Sequence, residues 1–165
     1  MGAPTQPELD AIAARCGEAL LERGWRVTTA ESCTGGWIAQ SLTSVAGSSQ
    51  WFETGLVTYS NAAKINYLGV NPLTLEQFGA VSEQTAGEMA AGAASKVGAD
   101  CAIAVTGIAG PGGGTEQKPV GMVCFGFAVQ GRAPVTVTEI FDGDRRSVRA
   151  TSVEFALTRL LAELA

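Results

Sequence analysis

Two potential nucleophiles, Ser32 and Cys33, stand side by side in the stretch TTAESCTGGW (residues 28–37), where an apolar run gives way to a helix-like one. A hydroxyl or thiol attacks a carbonyl efficiently only when a neighbouring base takes its proton or its own pKa is lowered. The chain contains no histidine, so Ser-His and Cys-His pairs and the usual histidine metal ligands are excluded. The search for a base falls on lysine, of which there are three: Lys64, Lys96 and Lys118. Lys64 lies near the start of a predicted helix, where a cation opposes the helix dipole. That position, with partial burial, lowers an amine from about 10.4 toward neutrality, as a general base requires. The plain alternative is a solvated surface lysine.

Ser32 falls where unpaired N–H groups at a helix start favour negative charge, and Gly35-Gly36 allow close approach to the backbone. These features suit an oxyanion hole as well as a capped turn. Cys33 competes with Ser32 as a low-pKa thiol, although a small buried hydrophobe is the commoner role for a free cysteine. Tyr59, read at the end of a strand, offers a hydroxyl to orient Ser32 or Lys64 or to relay a proton, or serves only as a strand aromatic. The loop GIAGPGGG (residues 107–114) has backbone N–H groups suited to a phosphate, yet matches neither GxxxxGK[ST] nor GxGxxG. Arg145, Arg146 and Arg149 crowd the first turns of the last predicted helix, against the dipole preference. An anion held by at least one of them explains this, with Arg145 the first choice; a solvated face is the simpler reading of each.

The elements that must position these residues follow from periodicity and turn signals. Thr5 and Glu8 form a capping-box pattern, and Leu9, Ile12, Ala13, Cys16 and Leu20 recur at helical spacing up to Arg23-Gly24. Strands are predicted over 25–30, 54–59 and 101–106, the last apolar enough to be buried on both faces. Helices are predicted over 35–45, from Ser60-Asn61 through Lys64, and over 82–96, with Asn71-Pro72 as a break. Residues 120–129 and 135–141 read as an antiparallel hairpin, and Asp144 caps a final helix with Val153, Ala156, Leu157, Leu160, Leu161 and Leu164 on one face. The order implies an α/β fold, a three-layer α/β/α sandwich around a mixed, mostly parallel sheet of about five strands. Ligands gather outside the carboxyl ends of such strands, and the segments 31–36, 59–64 and 106–114 are all expected there.

Composition narrows the function. One domain spanning 1–165 is expected from 165 residues with 46% hydrophobic content. A net charge of -5 argues against broad nucleic-acid binding. Cys16, Cys33, Cys101 and Cys124 are widely spaced without a CxxC pair, so neither a disulfide framework nor a zinc site is expected. No apolar run approaches the roughly 20 residues of a membrane span, and the amino end lacks a signal-peptide pattern. The expectation is a cytoplasmic protein without membrane contact.

TTAESCTGGWIA, GSSQWFETGLVTYSNAAK, GAVSEQTA, AVTGIAGPGGGTEQKPVG and FDGDRRSVR together, in this order and over nearly the whole chain, closely resemble the CinA carboxy-terminal family of bacterial nicotinamide-nucleotide amidohydrolases. The resemblance implies hydrolysis of the carboxamide of nicotinamide mononucleotide to nicotinate mononucleotide and ammonia, a salvage step in pyridine-nucleotide metabolism. It further implies a serine-lysine hydrolase that needs no metal or other cofactor, with Ser32 as nucleophile, Lys64 as base and Tyr59 in support. Cys33, Thr34, Gly35 and Gly36 then belong to the substrate site as neighbours of the oxyanion, and Thr106, Gly107, Gly110 and Arg145 to the nucleotide pocket. A homo-oligomer is expected from family habit and apolar composition. Longer family members carry a further amino-terminal domain, whose activities are not expected of this chain. Two rival readings stay open: Cys33 as nucleophile, and a non-catalytic nucleotide- or protein-binding module in competence or DNA-damage responses.

Overall fold

The computed structural model describes residues 2–165. Glu8 turns back to accept from the Thr5 backbone N–H at 2.7 Å, starting α1 (Gln6–Arg23). The apolar stripe of α1, Leu9, Ala13, Cys16 and Leu20, is fully buried. The sheet contains β1 (Val27–Glu31), β2 (Phe52–Val57), β3 (Cys101–Gly107), β4 (Met122–Val129) and β5 (Val135–Ile140), in the order β2-β1-β3-β4-β5. β1 pairs in parallel with both β2 and β3, while β4 runs antiparallel to β3 and β5. Four strands therefore share one direction and only β4 opposes them, matching the mixed, mostly parallel sheet expected from the sequence.

The two faces of the sheet are built differently. Along β3, Cys101, Ile103 and Val105 enter one core with Phe125 and Phe127 of β4, under α1, α2 (Trp37–Thr43) and α6 (Arg145–Leu164). The alternating residues Ala102 and Ala104 join Ala30 and Ala128 as the small sheet-side members of a second core beneath α5 (Glu83–Val97), which Leu68, Val70 and Met89 complete. Small residues let α5 approach closely, and α5 in turn carries α3 (Asn61–Leu68). At Gly92 of α5 an added Cβ would lie 1.8 Å from the Leu68 carbonyl oxygen, so only glycine permits this seating of α3.

Most elements shift by one or two residues at their ends from the sequence expectation, and three differences bear on the site. α2 starts at Trp37 because Gly35 and Gly36 adopt φ of +59° and +97°, outside the right-handed helix. β2 covers 52–57, leaving Thr58 and Tyr59 beyond its end with carbonyls directed to other partners. Asn71-Pro72 starts a helix as well as ending a segment: the Asn71 side chain accepts from Leu73 N–H and Pro72 opens α4 (Pro72–Phe78). Among the described residues, no helix is long and apolar enough to cross a membrane.

Candidate active site

The chain leaves β1 toward the α1/α2/α6 face and β2 toward the α3/α5 face, which opens a crevice at the carboxyl ends of the parallel strands. A cleft of about 290 Å³ lies there, and the three segments expected at these strand ends meet in it. Ser32, Cys33, Tyr59, Lys64, Thr106, Gly107, Gly110 and Arg145 line it; Thr34, Gly35 and Gly36, also expected in the pocket, do not. A larger cavity of about 460 Å³ between α5 and the β4–β5 hairpin involves Glu83 and Lys118 but brings together no nucleophile and base of this kind.

Ser60 caps α3, its Oγ accepting from Ala63 N–H, and the Lys64 side chain runs back toward that end of the helix. Its Nζ lies 3.0 Å from Ser32 Oγ, 2.8 Å from the Thr58 carbonyl and 3.0 Å from the Tyr59 carbonyl. Lys64 is 1% exposed and, among the described residues, pairs with no carboxylate. Burial penalises the ammonium and pulls its pKa from 10.5 down to about 8. Two carbonyls accept two N–H bonds, so in the neutral amine the lone pair is free for the Ser32 hydroxyl. That is the arrangement of a nucleophile and its base.

The turn carrying Ser32 is gripped on two sides. The Glu31 carboxylate, fully buried, accepts from Thr34 Oγ1 at 2.7 Å and from the N–H groups of Ile38 and Ala39 at 2.9 Å each. It caps α2 from within β1, so these two helix-start amides are not available to an oxyanion. From α6, Arg149 donates to the carbonyls of Cys33 and Thr34. The N–H of Cys33 makes no hydrogen bond to another described residue and remains free beside Ser32. Burial pushes the Cys33 thiol up to about 12, and the side chain packs in the larger core. A thiol so held is protonated and a poor nucleophile.

At the mouth of the cleft, exposed Arg145 donates to the Gly110 carbonyl at 2.8 Å and to the Tyr59 hydroxyl at 3.1 Å. The Tyr59 hydroxyl thus engages Arg145 and forms no hydrogen bond with Ser32 or Lys64; the Tyr59 group that meets Lys64 is its carbonyl. Thr106 is 1% exposed and donates to the Ala80 carbonyl, tying the end of β3 to the segment before α5. The N–H groups of Gly110, Gly112 and Gly113 make no hydrogen bond within the described chain.

The profile of the CinA C-terminal domain matches residues 9–164. This chain belongs to that family. It is 52% identical over 159 residues to nicotinamide-nucleotide amidohydrolase PncC of Enterobacter agglomerans, covering 96% of this chain and 97% of the relative. With the protein of the same name from Escherichia coli K12 it shares 52% identity over 156 residues, 94% of each. The crystal structure of a competence-damaged protein (CinA) superfamily member from Klebsiella pneumoniae superposes with a TM-score of 0.91 at 42% identity, covering 94% of this chain and 97% of that one.

Within this CinA C-terminal domain, sequence reading missed Glu31 as a cap and separated the three arginines only in part. Glu31 reaches amides seven and eight residues away, beyond the spacing of a local capping box, although a carboxylate in the buried run VTTAE was a signal. Arg145 reaches the cleft, Arg146 lies 5.7 Å over the Trp37 ring, and Arg149 binds carbonyls rather than an anion.

Proposed function

We propose that this chain hydrolyses the carboxamide of nicotinamide mononucleotide to nicotinate mononucleotide and ammonia, with Ser32 as nucleophile and Lys64 as general base. The carrying observation is the 3.0 Å contact of Lys64 Nζ with Ser32 Oγ, in a cleft where burial favours the neutral amine. The amidohydrolase names of relatives 52% identical over nearly the full chain support the substrate.

Ser32 Oγ attacks the carboxamide carbon while its proton passes to Lys64 Nζ, giving a tetrahedral oxyanion beside the free Cys33 N–H. Lys64 returns the proton to the departing nitrogen, ammonia leaves, and an acyl-Ser32 ester remains. Water then adds, its proton again taken by Lys64, and collapse of the second intermediate restores Ser32 and releases the acid. Proton return through Lys64 is favoured over Tyr59, whose hydroxyl is engaged by Arg145. Arg145 and the unpaired amides of the 110–113 loop hold the phosphate, and that remote binding energy serves the chemistry at the carboxamide. The reaction belongs to pyridine-nucleotide salvage.

The test is incubation of the purified protein with nicotinamide mononucleotide and a chelator, following ammonia and nicotinate mononucleotide, with Ser32→Ala in parallel. Product from the unmodified protein alone is expected. Nucleotide binding without product would sink this reading and favour a binding module.

A further inference from the structure

We infer that Arg149 is a positioning residue for Ser32, holding the peptide groups that follow the nucleophile so that its hydroxyl stays on Lys64. The inference rests on the Ser32–Lys64 reading above, and its test separates the two.

On the upstream side Ser32 is fixed to the sheet, since its N–H donates to the Val105 carbonyl of β3 at 3.0 Å. On the downstream side, the Ser32 carbonyl accepts from Gly35 N–H at 3.0 Å and the Thr34 carbonyl from Trp37 N–H at 3.1 Å. The Cys33 carbonyl has no backbone donor among the described residues; Arg149 Nε is its partner at 3.0 Å. Arg149 Nη2 reaches the Thr34 carbonyl at 3.1 Å, so one guanidinium bridges two successive peptide groups.

The Cys33–Thr34 peptide is planar and trans, so fixing its carbonyl also fixes the direction of its N–H and the dihedrals on either side. Without Arg149 the Cys33 carbonyl, in a residue only 5% exposed, would be an unpaired buried acceptor. The turn relieves that by rotating the peptide, which begins one residue after Ser32 and forms part of the cleft wall. Arg149 is itself held against the Trp37 ring, with its guanidinium carbon 5.5 Å from the centroid, and Trp37 Nε1 donates to Gln6 of α1 at 2.8 Å. The grip on the nucleophile is thereby anchored to two helices. Arg146 supplies the control: it stacks on the same ring at 5.7 Å but its side chain forms no hydrogen bond within the described chain.

Arg149→Met, Arg149→Lys and Arg146→Met are compared with the parent by three readings: kcat and KM for nicotinamide mononucleotide, the rate of Ser32 labelling by a fluorophosphonate, and thermal unfolding. Arg149→Met is expected to lower kcat and the labelling rate about 10²-fold, with KM within about threefold, as misplacement of a reacting group does. Arg149→Lys keeps the charge but replaces the planar Nε/Nη2 fork that meets the two carbonyls with a single flexible nitrogen, and about a tenfold loss in labelling is expected of it even if the Met variant fails to fold. Arg146→Met stays within about twofold of the parent on each reading. Parental labelling in either folded Arg149 variant, or a raised KM at unchanged kcat, overturns the inference. Labelling needs no natural substrate: a parent that labels at Ser32 but releases no ammonia refutes the proposed substrate and leaves the Arg149 comparison intact.

Discussion

Lys64 Nζ sits 3.0 Å from Ser32 Oγ while the Thr58 and Tyr59 carbonyls, at 2.8 and 3.0 Å, accept its other hydrogen bonds. A cation here has acceptors but no carboxylate among the described residues, and only a neutral amine can take the Ser32 proton. With Lys64 as the proposed base, its lowered pKa of about 8 places the acid side of the rate profile. The kcat/KM for ammonia release should rise with pH to a midpoint near 8, with about a tenth of the maximum left at pH 7. A flat profile from about pH 6 to about pH 9 would refute Lys64 as base.

The same shift makes a stability prediction of defined sign. Lys64 titrates near 10.5 when unfolded and about 8 when folded, so between these values the unfolded chain binds more protons and stability rises with pH. Below pH 8 the full burial cost, about 3 kcal/mol, is present; above 10.5 it is gone. Lys64→Met removes this titration, while its unpaired carbonyls add a cost that does not vary with pH. The stability of the parent relative to Lys64→Met, from urea unfolding, should improve by about 3 kcal/mol across that window. A constant difference would contradict the buried-amine account.

Ser32→Ala should lose at least about 10³-fold in ammonia release with little change in unfolding temperature, because the proposed mechanism makes its hydroxyl the reacting group. Cys33→Ala, which removes a protonated thiol packed in the core, should cost about 1 kcal/mol of stability and keep kcat within about fivefold. The reverse ranking would move the nucleophile to Cys33.

Much of this arrangement is legible in the residues themselves. The nearly unbroken apolar run CAIAVT yields a strand buried on both faces, and the Thr5 and Asp144 caps mark helix starts that the structure keeps. The absence of histidine directs attention to Lys64, and its contact with Ser32 follows once β1 and β2 lie side by side. What sequence does not disclose depends on contacts distant along the chain. Arg149 meets Cys33 across 116 positions and Arg145 meets Tyr59 across 86. The direction of the Tyr59 hydroxyl is likewise set by where β2 ends, a boundary its β-rich sequence does not mark.

Glu31 tests whether the turn needs a carboxylate. It accepts three hydrogen bonds with two oxygens while fully buried. Glutamine supplies one acceptor oxygen and turns an NH2 toward a backbone N–H, leaving a buried donor unpaired. Glu31→Gln should lower stability by about 2–3 kcal/mol in urea unfolding and reduce kcat through the displaced turn. Unchanged stability would mean that the carboxylate does not hold α2.

The mouth of the cleft makes the last prediction. Among the described residues, Arg145, between the Gly110 carbonyl and the Tyr59 hydroxyl, is the only charged side chain besides Lys64 lining the pocket. It lies at the mouth, while Ser32 and Lys64 are buried, so the proposed reaction sets it against a part of the substrate remote from the carboxamide. If it holds phosphate, Arg145→Ala should lower kcat/KM for nicotinamide mononucleotide about 10²-fold, the scale of a lost charge-assisted contact. Free nicotinamide lacks the phosphate and should be turned over poorly by parent and variant alike, with a ratio near one. Losses of equal size for the two substrates would assign Arg145 to the carboxamide or to the structure of the loop, and the phosphate would then fall to the amides of Gly110, Gly112 and Gly113. Tyr59→Phe separates the pair further: loss of its hydroxyl removes one acceptor of Arg145 but no contact to Lys64, so KM should rise by about threefold to tenfold while the pH midpoint of kcat/KM stays in place. A shifted midpoint in that variant would return the hydroxyl to the proton path.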